Sequence, residues 1–336
     1  MLLSVVIVAR NEEENIERCI KSILRETKGI SKVEVLMVDS ASTDQTVEIA
    51  KNYSINIIQL KSDWPLSPSA GRFSGVNNTT GKYVLIIDGD MELLAGWVNK
   101  ALEFLDGNSK CAAVMGKSYN IYRNQEKPSL DRYAKRIGRT KKINYVQQSS
   151  FFRRICLEEV GNFHPFLRAE EEAEISCRLR NKGYNLYFLD YESAYHYRPH
   201  TDPFREMRRR KTTGLYPGMG DMFSWCLRKG YYTILWERFK VFFFFGMFAG
   251  CSVFGFLILL LLGQVIPAVV FLMLPVYFFV FQCVKKGSVR QGVLSWLNVS
   301  MIALSLLKGL FRKIPEISEY PKDVMWVKRI QGIKPY

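Results

Sequence analysis

Two uncharged apolar runs in the C-terminal third restrict the fold of this chain more than any other feature. Val241 to Leu262 reads VFFFFGMFAGCSVFGFLILLLL, and a second run, Val265 to Val284, follows after only Gly263 and Gln264. As helices, both are long enough to cross a hydrocarbon core of about 30 Å. A single long helix buried in a soluble core is the weaker reading, because helices average about 11–12 residues and Pro267 and Pro275 interrupt the stretch. Residues 241–284 are therefore expected to form a transmembrane hairpin.

Basic residues orient it. Arg228, Lys229, Arg238 and Lys240 precede the first run, and Lys285, Lys286 and Arg290 follow the second, which places both flanks on the cytoplasmic side of the cell membrane. The residues before the hairpin are then cytoplasmic, with 214–240 as a juxtamembrane segment whose Trp225, Tyr231, Tyr232 and Trp236 mark the interface. Residues 285–336 are harder to assign. Gly292 to Phe311 is mostly apolar, but Ser295, Asn298, Ser305 and Lys308 form a polar stripe near helical spacing. A third span would put Lys313, Lys322, Lys328, Arg329 and Lys334 outside, so an interfacial or re-entrant helix with a cytosolic tail is expected, and a third membrane helix is the alternative.

Lys and Arg number 47 against 32 Asp and Glu, a net charge of +15, which favours anionic partners such as phosphorylated substrates and anionic lipids. The cations cluster near the membrane runs and no nucleic-acid reader motif occurs, so nucleic acid is not the expected partner. Seven scattered cysteines without C-x-x-C spacing argue against a disulfide framework or a zinc knuckle. The apolar start, Met1 to Ala9, lacks a basic flank and a cleavage site and reads as a strand rather than a signal peptide.

Residues 1–213 read as one α/β domain. LLSVVIV, VEVLMV, Ile55 to Leu60 and YVLII are strand-like, and helical spacing between them follows Ile16, Cys19, Ile20, Ile23 and Leu24, then Val47 and Ala50 behind a Ser42 or Thr43 cap, then residues 67–77. This βαβαβαβ order implies a mostly parallel sheet with helices on both faces. Residues 1–90 would form a ligand-binding half and 91–213 a second half. Open sheets of this kind bind ligands at the carboxyl ends of their strands, and there the sequence places Arg10-Asn11-Glu12, Asp39-Ser40 and Asp88-Gly89-Asp90. Neither G-x-G-x-x-G after the first strand nor a P-loop string occurs, which removes the main support for dinucleotide oxidoreductases and P-loop hydrolases.

VVIVARNEEENIERCIKSIL, VLMVDSASTDQT, GRFSGVNNTTGKYVLIIDGD and EEEAEISCRLRNKGY stand in an order and spacing that resemble family 2 glycosyltransferases, inverting enzymes of the GT-A fold. The resemblance covers roughly residues 2–200. It implies a nucleotide-sugar co-substrate bound through a divalent cation, Mg²⁺ or Mn²⁺, with residues 1–90 as the nucleotide-binding half and 91–213 as the acceptor half. Asp90 would be the direct metal ligand, with Asp88 facing the ribose or the metal. Asp39 would accept a hydrogen bond from the base, with Ser40 beside it. Ala9, Arg10, Asn11 and Glu12 would line the nucleotide pocket, and Arg72 would lie near the phosphates. Gly89 allows close backbone approach. Phe73 replaces the family's usual Asn, and Arg10 is a second departure.

In the run Glu170-Glu171-Glu172-Ala173-Glu174, Glu171 and Glu172 align with the family's E-D pair, so Glu172 takes the place of the general base. Crowded carboxylates raise at least one pKa toward the range useful for a base, while Glu170 and Glu174 suit the N-terminus of the following helix. His196 is a candidate to approach the metal or diphosphate. Its spacing to His200 is not a helical metal pair, because Pro199 and strand-like flanks intervene. Leu130, Tyr133, Ala134 and Ile137 oppose Arg132, Lys135, Arg136 and Arg139, a basic amphipathic pattern expected either at the membrane surface, receiving an anionic acceptor, or packed on the sheet.

The expected function is a membrane-bound glycosyltransferase passing one sugar to a lipid-linked or cell-surface glycan, the lipid being of the polyprenyl-phosphate kind. A processive polysaccharide synthase is a close variant, but no Q-x-x-R-W string follows the acidic run. A non-catalytic membrane scaffold is the alternative from another class.

Overall fold

The computed structural model describes residues 3–123, 127–199 and 202–330; the expectations touching Met1, Leu2, His200 and Lys334 lie outside them. The chain forms two compact units, Met1–His200 with Pro315–Tyr336, and Thr201–Ile314.

The first unit opens with β1 (Leu3–Ala9), α1 (Ile16–Glu26), β2 (Val33–Asp39), α2 (Thr46–Lys51), β3 (Asn56–Gln59), α3 (Pro68–Asn77) and β4 (Tyr83–Asp88). All four strands pair in parallel, in the order β3-β2-β1-β4. Each is buried on both faces, and alternate residues supply two cores: Val5 and Ile7 point to one, with Ile16, Cys19, Ile20 and Ile23 of α1, while Val6 and Val8 point to the other, with Ala70, Phe73 and Val76 of α3. This two-sided burial is why the strands read as continuous apolar runs. Ser67 caps α3 by accepting the Ala70 N–H at 2.9 Å, and Pro68 suits its first turn. The cap expected at Ser42 or Thr43 is not formed. Gln45 holds the N-cap position of α2, Asp44 accepts the Thr46 N–H at 3.0 Å, and the two hydroxyl residues serve the loop beside β1.

The remainder comprises β5 (Met91–Leu93), α4 (Trp97–Gly107), β6 (Cys111–Tyr122), β7 (Ser129–Leu130), α5 (Arg132–Ile137), β8 (Lys141–Ile143), β9 (Ser150–Arg153), α6 (Arg154–Glu159), α7 (Glu171–Asn181) and β10 (Asn185–Arg198). Here the sheet turns mixed: β9 is antiparallel to β4 and β6, β10 is parallel to β6 but antiparallel to β5 and β8, and β7 is antiparallel to β6. The amphipathic pattern around α5 resolves as packing on the sheet. Ala134 and Ile137 are buried, Leu130 and Tyr133 pack on the same core, and the helix is left with an exposed basic face but no apolar face for a membrane.

The tail returns to this unit. β11 (Met325–Lys328) adds antiparallel to β3, pairing Met325 with Gln59 and Trp326 with Ile58. Tyr320 is buried, with its ring edge-on to Trp64, Phe73 and Phe166 at centroid distances of 5.8, 5.7 and 5.4 Å. Lys328 Nζ donates to the Lys51 and Tyr53 carbonyls at 2.7 and 2.6 Å.

The second unit holds α8 (Pro203–Thr212), α9 (Leu215–Arg228), α10 (Tyr232–Leu261), α11 (Val265–Lys286) and α12 (Val289–Gly309). Among the described residues the last three helices are long and apolar enough to cross a membrane. α10 and α11 expose their apolar side chains almost throughout, whereas α12 buries more of its surface within the unit. The residues it buries are Gly292, Val299, Ile302, Ala303, Leu306 and Gly309, while Ser295, Asn298 and Ser305 of its polar stripe are half-buried: Asn298 Oδ1 accepts the Tyr216 hydroxyl at 2.8 Å, and the Ser295 hydroxyl donates to Gln282 Oε1 at 3.3 Å. The backbones of α9 and α12 meet at Gly220 and Gly309, where a Cβ on Gly220 would lie 2.0 Å from the Ser305 carbonyl oxygen. Small residues permit such close helix contact.

Candidate active site

Strand register collects the site at one sheet edge. Ala9 stands beside Asp39 and Val8 beside Asp88, so the segments containing Arg10–Glu12, Ser40 and Gly89–Asp90 all leave the sheet at the carboxyl ends of its central strands. Ser40 N–H donates to the Ala9 carbonyl at 2.9 Å and Gly89 N–H to the Val8 carbonyl at 2.8 Å. A Cβ on Gly89 would sit 3.1 Å from Ala9 Cβ and 3.2 Å from Glu12 Cγ, tight contacts that would press on both residues by a few tenths of an ångström.

Side chains fasten these loops together. Asn11, at φ 55°, occupies the left-handed region that Asn tolerates. Its N–H donates to Ser42 Oγ and its Oδ1 accepts the Thr43 N–H, both at 2.9 Å. Glu12 N–H donates to Thr46 Oγ1 at 2.7 Å. Asp39 is fully buried; its Oδ2 accepts from Ser42 N–H at 3.0 Å and Gln59 Nε2 at 2.7 Å, and its Oδ1 accepts the Ser42 hydroxyl. Sequence reasoning missed Gln59, whose one signal is its place at the carboxyl end of β3. Arg10 is exposed and Ser40 buried.

The acidic pair past β4 is reached from β10. Pairing of β10 with β5 sets His196 opposite Met91, and His196 Nε2 lies 3.0 Å from Asp90 Oδ2. Asp90 Oδ1 is buried and has no hydrogen-bond partner. Arg198, not foreseen from the sequence, brings Nη2 to 3.2 Å from His196 Nδ1. Glu12 stands close by, its pKa pushed up to about 7 by burial and then by the charges of Asp90, Asp88 and Asp44, against a hydrogen bond from Asn15. Three carboxylates crowded here favour a cation.

Among the described residues no three His, Cys, Asp or Glu side chains form a complete metal set. Asp88 and Asp90 nevertheless fit a hard cation, with the orphaned Asp90 oxygen available, because Mg²⁺ is commonly held by one or two carboxylates while substrate phosphates and water fill its other positions. His196 is placed as the partner of Asp90.

Arg72 ties this acidic pair to the acidic helix. Only 3% exposed, it binds Glu171 through Nη1, and its Nη2 lies 2.9 Å from Glu172 and 3.2 Å from Asp88. Burial works against its charge, but Glu172, Asp88 and Glu171 outweigh burial and raise its pKa. The guanidinium expected near the phosphates is thus committed to carboxylates. Glu172 keeps 19% of its side chain exposed. Burial pushes its pKa up to about 8, opposed by Arg72 and aided by Glu171 and Asp88. Glu171 is buried in its ion pair. Glu170 takes a left-handed conformation at the N-cap of α7, and Glu174 is fully buried against Arg178, with contacts of 2.8 and 2.7 Å. Phe73, the departure from the family pattern, packs against Tyr320 of the tail.

An α/β sheet with an acidic pair beyond its fourth strand and an acidic helix facing it is the arrangement of a GT-A domain. Residues 4–161, a little under half of the chain, match the model of Glycosyl transferase family 2. The chain is 28% identical over 204 residues to Glycosyltransferase AglE of Haloferax volcanii, covering 55% of this chain and 64% of that protein. It is 23% identical over 221 residues to the uncharacterized glycosyltransferase EpsJ of Bacillus subtilis, covering 61% and 63%. The chain thus spans less than two thirds of the length of each of these relatives. Its fold is similar to that of S. aureus TarS 1-349 in complex with UDP-GlcNAc, with a TM-score of 0.54 at 17% identity over 92% of this chain and 90% of that one.

Proposed function

We propose that the chain is a membrane-bound inverting glycosyltransferase that uses a nucleotide-sugar and a divalent cation, and passes one sugar to a hydroxyl of a lipid-linked or cell-surface glycan. One observation carries the reading: Arg72 brings Asp88 and Glu172 onto a single guanidinium, joining the diphosphate side of the crevice to a carboxylate with the properties of a base. The UDP-GlcNAc bound by TarS supports the donor class.

Glu172 takes the proton of the acceptor hydroxyl. The oxygen then attacks the anomeric carbon from the face opposite the diphosphate, and the bond from that carbon to the phosphate oxygen breaks. A cation at Asp88 and Asp90, when bound, offsets the negative charge that develops on the departing diphosphate. Asp39 and the clamped loops at Asn11 and Glu12 hold the nucleotide end. The raised pKa of Glu172, about 8, makes it a strong proton acceptor once ionised.

For the membrane part, chain connectivity supports two spans. Residues on either side of 201–314 belong to one folded unit, with β11 in the same sheet as β3. Both ends of that segment therefore lie on one side of a bilayer, and the number of crossings between them is even. With α10 and α11 as the spans, α12 lies in the interface, and the basic flanks put the catalytic domain on the cytoplasmic side.

Calorimetry of the purified full chain with nucleoside diphosphates, with and without Mn²⁺, tests the catalytic reading. Cation-dependent binding that Asp90→Ala abolishes is the expected result. Binding of no nucleotide under any condition would favour a scaffold.

A further inference from the structure

The second unit contains a pocket that the transfer reaction does not use. It lies among α8, α11 and α12, has a volume of about 320 Å³, and its polar lining includes Glu206, Arg210, Lys286, Gln291 and Asn298. Pro203, Met207 and Leu294 give it an apolar wall. Asp202 caps α8 by accepting the Phe204 N–H at 2.9 Å, and the same carboxylate binds Arg290 of α12 at 2.7 Å, so the starts of the two helices are tied together.

Its lining is net cationic: Arg210 and Lys286 stand against the single carboxylate of Glu206, which pairs with Arg210 at 3.0 Å and also with Arg209, outside the pocket, at 2.7 Å. Asn298 spends its carbonyl oxygen on Tyr216, so its amide NH₂ is left to donate. The pocket also stands at the charged end of the α10–α11 hairpin, since Lys286 is the last residue of α11, whereas the opposite turn, Leu262-Gly263-Gln264, carries no charge.

Resting on the membrane reading above, we propose that this pocket holds the phosphodiester headgroup of an anionic phospholipid of the cytoplasmic leaflet. Arg210, Lys286 and the Asn298 amide contact the phosphate, and Met207 and Leu294 contact the glycerol and the upper acyl chain. Two cations, one of them also paired with Glu206, and an amide above an apolar wall suit an amphiphile with a charged head, and a basic pocket between membrane helices on the cytoplasmic side is a recurrent form of such a site. A free phosphate would leave the apolar wall unused.

The full chain, reconstituted in nanodiscs of equal phosphatidylglycerol and phosphatidylcholine and released for native mass spectrometry, reports which lipid it retains. The expected result is one preferentially retained phosphatidylglycerol. Lys286→Gln, an exposed position, weakens that preference about 5-fold, and Arg210→Gln with Lys286→Gln about 30-fold, at the usual strength of a basic residue near an anionic membrane. Arg208→Gln with Lys211→Gln, outside the pocket, leaves it unchanged. Equal losses in both double variants would show general surface attraction and overturn the site. Displacement of the lipid by inorganic phosphate would assign the pocket to a free anion instead. Failure of the chain to enter nanodiscs of phosphatidylcholine alone would overturn the membrane reading itself, whereas entry without lipid preference would overturn this proposal only.

Discussion

Replacing Arg72 with methionine keeps much of the side chain's volume and removes the one charge that three carboxylates share. Glu171 is buried in its pair with Arg72, while Glu172 and Asp88 lie within 2.9 and 3.2 Å of the same nitrogen. Removing one partner of a buried ion pair costs about 3–5 kcal/mol, because the remaining charge stays buried without compensation. For a folded unit of this size each kcal/mol shifts the midpoint by about 2–4 °C, so thermal unfolding of the detergent-solubilised chain at pH 8 should fall by roughly 6–20 °C. The deficit should shrink on acidification. Without Arg72 the carboxylates bind protons more readily in the folded than in the unfolded chain, so the stability of the variant relative to wild type rises as pH falls. Arg72→Lys retains a charge but not the planar fork that reaches three partners, and should fall between the two. A methionine variant within 2 °C of wild type at pH 8, a bound chosen as roughly 1 kcal/mol, would refute the claim that Arg72 organises this cluster.

Glu172→Gln should lower kcat by about 10²–10⁴-fold and leave nucleotide binding intact. In the wild type a base whose pKa is raised to about 8 is protonated below that pH, so activity should fall as pH drops through it, and cation binding beside Asp88 shifts this limb downward. A wild-type profile flat to pH 5 would contradict the assignment. Tyr320→Ala should destabilise the first unit by about 3–5 kcal/mol, the usual cost of emptying a buried aromatic site; a loss under about 1 kcal/mol in thermal unfolding would mean that the tail is not part of that core. Gly89→Ala should weaken nucleoside diphosphate binding in calorimetry by about 10-fold, since a Cβ 3.1 Å from Ala9 and 3.2 Å from Glu12 Cγ presses on two residues that line the crevice; unchanged affinity would show that these neighbours yield freely.

The sequence by itself determined the local elements and the chemistry along one sheet edge. Continuous apolar strands such as LSVVIVA, helical spacing in Ile16 to Ile23, and polar residues after each strand are short-range patterns, and the strand register then necessarily brings Asp39, Asp88 and Asp90 to the same edge. The apolar runs after Val241 were legible for the same reason, since span length depends on composition alone. What only the tertiary structure decided are the long-range pairings. Arg72 binds three carboxylates because α3 and α7 meet across the crevice, and Gln59 supports Asp39 because β3 lies beside β2. The segment around Tyr320 reads as an ordinary polar tail, yet it fills an aromatic pocket made by Trp64, Phe73 and Phe166 and adds a strand beside β3. A four-residue edge strand carries too little periodicity to be read from sequence, and its stability comes from a partner some 270 residues away.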